Sequence, residues 1–212
     1  MIMSNSVTYS MMKRHEIPDC VKVVTEAFST YEYFTYFFPE EKLRMNVLHK
    51  VLMSEFSTTY GIVDTIVARE NGNIVGVCQL FPPTYKKPSD LQYMIHGWWK
   101  VLLIRPQVLV KDWLKMDENA SKPCHELIGD STWYVSSVVV SPKYQQKGVG
   151  TAFFKNGIEP YVKQKGGSRI TLFTNAERNY RFYEKLGYKL FHETSIHYNK
   201  NVMGSWSYIK NI

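Results

Sequence analysis

Cysteine is scarce in this 212-residue chain, and its three examples, Cys20, Cys78 and Cys124, stand far apart with no C-x-x-C spacing. That excludes a disulfide framework or a cysteine-rich zinc module and favours reduced thiols in a cytoplasmic protein. No metal site is expected. Long apolar runs are missing as well. The most apolar short stretch, 98–104, is broken by Lys100 and is too short to span a bilayer, and 1–15 holds no run of signal-peptide length. No membrane partner is expected. Clusters of one charge are also absent: the net charge is +7, yet the longest basic runs are pairs such as Lys13-Arg14 and Lys86-Lys87. Nothing here makes a nucleic-acid arm, and the basic balance suits a phosphate-bearing ligand instead. There is no internal repeat and no low-complexity tract.

What is present is an ordinary globular composition, 44% hydrophobic and 21% charged, long enough for one α/β domain and short for two. Aromatics (15 Tyr, 11 Phe, 5 Trp) exceed the needs of a minimal core, so some are expected to line a ligand cleft. The pattern predicts a strand over 7–12, a helix from about Pro18 with Val21, Val24, Ala27 and Phe28 on one face, and a second helix over 41–60. Strands at 64–69 and 74–81 flank Asn71-Gly72-Asn73, a hairpin signal. After Pro82, Pro83 and Pro88, helical segments are expected at 91–104 and 106–116. A strand at 132–141, a helix at 149–165, a strand at 169–174 and a helix at 179–186 follow. An antiparallel pair at 188–197 and 202–209 closes the chain. Strands separated by helices predict an α/β fold: a mixed, mostly antiparallel central sheet flanked by helices. A single domain is expected over 1–212, with a helical insert at about 84–130.

The strand at 132–141 ends at Pro142, which cannot donate to a sheet ladder, so the chain must turn. Gln145-x-x-Gly148-x-Gly150 follows, and Thr151, Ala152, Phe153 and Phe154 open a helix. A helix N-terminus leaves unpaired N–H groups and carries about half a positive charge. Glycine at 148 and 150 lets an anion approach those groups closely, and Lys143 and Lys147 add charge nearby. An ordinary strand-to-helix turn is the competing reading. A dinucleotide fingerprint would need a third glycine in a first βαβ unit, and a Walker loop would need a Gly-Lys-Ser/Thr ending; neither is present.

A second motif lies a strand and a helix later, Asn179-Tyr-Arg-Phe-Tyr183-Glu-Lys-Leu-Gly187-Tyr188. In their order and spacing the two motifs resemble those of the GNAT acetyltransferase superfamily: Gln or Arg, then Gly three residues on and Gly or Ala two further, followed downstream by Asn, an aromatic-Tyr pair and Gly-aromatic. The resemblance covers roughly 132–193. The segment 33–40, the Pro82-Pro83 strand end and His125 ahead of Trp133-Tyr134 are similar to a subgroup that includes puromycin-type acetyltransferases. Phe173, where many of that subgroup carry an acid, and Gly157 and Pro160, which interrupt the helix after the loop, depart from the pattern. Pro160 is expected to kink that helix.

The resemblance implies an acetyl-CoA-dependent N-acetyltransferase acting on the primary amine of a small molecule. Acetyl-CoA, the co-substrate, would meet Gln145, Gln146, Lys147, Gly148, Val149, Gly150 and Thr151 through its pyrophosphate. Its pantetheine arm would bond the backbone of Val138 and Val140 around Val139, and Asn179 would also touch it. A neutral amine would attack the thioester directly, an N–H near Val138 would serve the oxyanion, and Tyr183 would act as general acid. The bland readings are sheet core for 138–140, a core aromatic for Tyr183 and a helix cap for Asn179. Glu32, His125, Glu126 or a water chain could be the base, histidine having the best-suited unperturbed pKa. Glu32, Tyr33, His125 and Trp133 are the substrate-pocket candidates, with the aromatic patch 31–38 and Trp98 around them; hydrophobic core is the competing reading of that patch and the preferred one for Phe34, Phe37 and Phe38. A non-catalytic acyl-CoA-binding or regulatory module and a protein or peptide N-acetyltransferase remain alternatives. The latter would need an open groove, whereas the insert looks like a lid. The terminal strand pair offers an edge, so monomer and homodimer both stay open.

Overall fold

A computed structural model describes residues 7–104, 107–198 and 201–212. Its strands are β1 (Thr8–Met11), β2 (Asp64–Glu70), β3 (Asn73–Phe81), β4 (Thr132–Val140), β5 (Arg169–Thr174), β6 (Lys189–Tyr198) and β7 (Asn201–Asn211). All join one seven-stranded sheet in the order β1-β2-β3-β4-β5-β7-β6. Neighbours are antiparallel except β4 and β5, which run parallel. The helices are α1 (Ile17–Phe28), α2 (Glu32–Phe37), α3 (Glu41–Thr59), α4 (Asp90–Ile95), α5 (Gln107–His125), α6 (Val149–Ala152), α7 (Glu159–Gln164) and α8 (Glu177–Lys185).

Local chemistry explains several boundaries. The β2–β3 turn places Asn71 at φ 51° and Gly72 at φ 80°, the doubly left-handed backbone that a tight hairpin requires and that Asn-Gly tolerates best. At the end of α8, Gly187 adopts φ 85°, the Tyr188 N–H donates to the Tyr183 carbonyl at 3.0 Å and the Gly187 N–H to the Glu184 carbonyl at 2.9 Å. That is a Schellman ending.

Elsewhere the structure departs from expectation. The segment expected to be one helix over 91–104 stops at Ile95, because Gly97 turns left-handed at φ 100°, and only a 3-10 turn, Trp98–Lys100, follows. The next helix, α5, outruns its expected end and carries Pro123 in its last turn. The helix after the loop is interrupted around Gly157 and Pro160: the chain widens into a π-helical segment, Phe153–Ile158, and Pro160 falls in the first turn of α7. Widening keeps the proline ring off the preceding turn and leaves no N–H missing from an α ladder. Gly157 lets Tyr9 pack there, since a Cβ would lie 2.9 Å from the Tyr9 ring.

Helices cover both sheet faces. On one, α1 and α3 bury Cys20, Val21, Val24 and Phe56 against Val67, Val77 and Val139. On the other, the α6–α7 run and α8 bury Phe153, Phe154, Ile158, Tyr183 and Leu186 against Trp133, Val135 and Leu172. The insert between β3 and β4 extends the first layer: Trp113 of α5 packs with Phe34 and Phe38, beside Val47 and Leu48 of α3 and Ile196 of β6. Among the described residues no helix is long and apolar enough to cross a membrane. Cys20, Cys78 and Cys124 are buried and unpaired.

Candidate active site

Midway along β4 one neighbour is lost. The pairing with β5 runs from Thr132–Arg169 to Val135–Leu172 and stops, although β4 stays paired with β3 to Val140 and β5 with β7 to Thr174. Residues 136–140 therefore present a strand edge to a gap. The register shows a bulge at the same point: Leu80 faces Val135 and Gln79 faces Ser137, so Ser136 is an extra residue. The bulge also shifts the alternation. Val138 joins Trp133 and Val135 on the α6–α7 face, while Tyr134 and Val139 point to the other. Backbone groups on an open edge need partners, and an extended ligand carrying amides can supply them.

The turn after β4 forms an anion cradle. Gln146 at φ 61° and Gly148 at φ 79° are both left-handed, and Gly148 is the N-cap of α6. The first-turn N–H groups of Val149, Gly150 and Thr151 make no backbone hydrogen bond among the described residues. Gln145 through Gly148 are exposed, and the Lys147 ammonium rests 5.6 Å from the Tyr144 ring centre. The Gln145 side chain turns inward, its Nε2 donating to the Val140 carbonyl at 2.9 Å, so it fastens the loop to the strand end. Gly150 lies against α8, where a Cβ would meet the Phe182 ring at 3.4 Å. A helix start with free donors, an open approach and nearby lysines suits a phosphate group.

The far side of the gap is built by β5 and α8. This helix begins at Glu177 with Ala176 as an N-cap lacking a side-chain bond, so Asn179 is not its cap. Instead Asn179 Nδ2 donates to Thr174 Oγ1 at 3.1 Å, and the same oxygen lies 3.0 Å from the Tyr31 hydroxyl. The Tyr31 hydroxyl in turn accepts from the Asn175 N–H at 3.0 Å. Tyr183 is buried among Phe154, Tyr188 and Tyr208. Its hydroxyl has no hydrogen bond among the described residues and lies near Tyr31 and Cys78, the latter opposite Val138 in the sheet. Burial lifts its pKa above the ordinary tyrosine value, so it stays a neutral phenol beside the open edge of β4.

The remaining candidates separate. Tyr33 is buried, and its hydroxyl donates to Asp117 Oδ1 at 3.5 Å; Glu32 is exposed on the first turn of α2. His125 lies with its ring centre 4.6 Å from that of Tyr134, the two rings tilted, and burial, reinforced by Lys87 and opposed by Glu118, lowers its pKa, leaving a neutral imidazole. Glu126 is exposed and pairs with Lys122 at 3.8 Å. Trp133 is on the opposite face from Tyr134, buried against Tyr161 and clustered with Val162. Sequence reading missed Glu55 and Asp117, each half-buried and electrostatically coupled beneath the insert. Their one sequence signal was an acid placed among apolar helix positions: Glu55 beside Val51, Leu52 and Phe56, and Asp117 after Trp113 and Leu114. Among the described residues no group of His, Cys, Asp and Glu could hold a metal ion.

A family model described as the acetyltransferase (GNAT) family matches residues 25–188. Among solved structures, the chain is similar to one from Corynebacterium glutamicum described as histone acetyltransferase HPA2 and related acetyltransferase, with 19% identity, TM-score 0.62, and 97% and 96% of the two chains covered. It is also similar to a ribosomal-protein alanine N-acetyltransferase from Escherichia coli (12% identity, TM-score 0.59, 98% and 94% covered). A polyamine N-acetyltransferase from Drosophila melanogaster matches with 15% identity, TM-score 0.55, and 98% and 100% covered. Identities this low establish the shared fold. The superfamily rests on the family model, and the acceptors in these names differ, so the finer likeness to puromycin-type enzymes gains no support.

Proposed function

The chain belongs to the acetyltransferase (GNAT) family, and from that premise we propose that it transfers the acetyl group of acetyl-CoA to the primary amine of a small molecule. Enzymes of this family take acetyl-CoA as donor, which supplies an activated acetyl thioester. The observation that carries the reading is the gap between β4 and β5, open from Ser136 onward and leading to the Gly148–Gly150 cradle. An anionic head on the cradle and an amide-bearing arm along 136–140 fit that one continuous path. Val138, Val139 and Val140 would line the arm; Lys147 and the N–H groups of Val149, Gly150 and Thr151 would hold the pyrophosphate. Asn179 and Thr174 brace the opposite wall.

The residues divide the proton work. Tyr183 keeps its proton at neutral pH and can donate it to a departing thiolate. His125 is held neutral and can accept one from the attacking amine, directly or through water. A donor tyrosine is a feature that a binding-only module does not need. The insert, with α4 and α5 between β3 and β4, supports a small acceptor over a peptide. The test is thiol release from acetyl-CoA across a panel of amines, with calorimetric titration of Gly148→Glu. A carboxylate in the cradle should abolish acetyl-CoA binding; unchanged binding would remove the loop from the site.

A further inference from the structure

On the reading just given, on which this inference rests, the acceptor amine must approach the bulge of β4. The sheet face beneath the insert shows what else that acceptor must carry. Asp117 of α5 lies close enough to Glu55 of α3 to raise its pKa, and among the described residues neither makes an ion pair. Their partners are phenols: the Tyr33 hydroxyl donates to Asp117 at 3.5 Å, and the Tyr93 hydroxyl faces Glu55. Lys87 is close enough to be felt by Glu55 but is exposed. Carboxylates partly withdrawn from water with no ion-pair partner are costly, and burial raises both above their ordinary values, Asp117 to about 6.

A second observation at the same face points to a ligand. Gln79 is 2% exposed, and its carboxamide is half satisfied: one end accepts from Ser137 Oγ at 3.4 Å and the other has no partner. It lies on β3 between Val77 and Phe81, opposite the residue that follows the bulge. Phe81 packs on Tyr134, whose hydroxyl senses Asp117. The two ends of an amide can exchange, so the free end can offer an oxygen to an amine. From Gln79, Phe81 leads to Tyr134, Tyr134 is within electrostatic reach of Asp117, and Asp117 of Glu55, so acids without an ion pair lie beyond the bulge on this face. Aromatic walls along it favour a cation further.

We propose that the acceptor is a short linear diamine or polyamine, one nitrogen placed beside the β4 bulge and Gln79 and a second, cationic nitrogen held between Glu55 and Asp117. The experiment uses the full chain, wild type, Glu55→Gln and Asp117→Asn. Calorimetry measures binding of a short diamine and of the monoamine of equal length to protein saturated with CoA, and thiol release gives kcat/KM for both. Wild type should favour the diamine by roughly 30-fold or more, and each variant should erase that preference with acetyl-CoA affinity unchanged. A wild type that does not discriminate, or variants that still do, would overturn the proposal. Thiol release at equal rates from both amines sinks this inference and leaves acetyl transfer standing. Acid-dependent diamine binding without any thiol release does the reverse.

Discussion

Tyr183 holds its proton because its ring is enclosed by Phe154, Tyr188 and Tyr208, and a phenolate there would lack solvation. Tyr183→Phe keeps those ring contacts and removes one hydroxyl. Turnover should fall by about 100-fold while the calorimetric Kd for acetyl-CoA stays put, and a full-speed variant would end the acid role. Asp117 gives the opposite kind of test, one of stability. Burial raises its carboxyl from 3.8 to about 6, with the Tyr33 hydroxyl working against the shift. Between those values the folded chain keeps a proton that the unfolded chain releases. Stability therefore falls as pH rises through that window and stays lower above it. Asp117→Asn should then raise Tm at about pH 8 and leave it nearly unchanged at about pH 4, since the ionisation it removes is absent there. A variant that lost stability at both pH values would show that the carboxylate serves the fold rather than a ligand.

At the scale of elements, α2 depends on a buried arginine. Arg44 of α3 donates from Nε to the Ser29 carbonyl at 2.7 Å and from Nη1 to the carbonyls of Phe38 and Pro39 at 2.6 and 3.0 Å. One guanidinium thus closes the C-terminal ends of α1 and α2, where helix carbonyls favour a cation. Arg44→Gln should cost about 2–4 kcal/mol in denaturant unfolding, and because α2 and the preceding turn carry Tyr33 and Tyr31, acceptor KM should rise more than acetyl-CoA Kd. Unchanged stability would contradict the clamp. The sequence announced elements whose cause is local: the Asn71-Gly72 hairpin, the Gly187 helix ending and the glycine-spaced loop. It concealed those set by distant packing. Helix α2 is only six residues long and owes its place to Phe34 and Phe38 on Trp113, not to periodicity. The insertion of β7 between β5 and β6 is a matter of sheet order, which no local signal encodes. Three consecutive valines hide the slipped alternation after Ser136. Trp133, expected in the pocket with Trp98 and the aromatic patch 31–38, lies on the face opposite Tyr134, because alternation sends adjacent residues of a strand to opposite faces.

Across the whole molecule, charge is divided rather than spread evenly. The chain carries +7, and Lys143 and Lys147 stand exposed at the cradle, while Glu55 and Asp117 are half-buried beneath the insert. A polyanionic donor is attracted by the first arrangement and a cationic acceptor repelled by it, so an acceptor of that kind gains its hold only after reaching the acids. Salt distinguishes the two. The screening length shortens from about 10 Å at 0.1 M to about 3 Å at 1 M, which weakens exposed charges far more than enclosed ones. Raising ionic strength from about 0.05 to 0.5 M should therefore raise the KM for acetyl-CoA several-fold and that for a diamine less than about twofold, both read from initial rates. If the diamine KM instead climbs as steeply as that of the donor, its second charge is being read at the surface, and the acids beneath the insert are not its site.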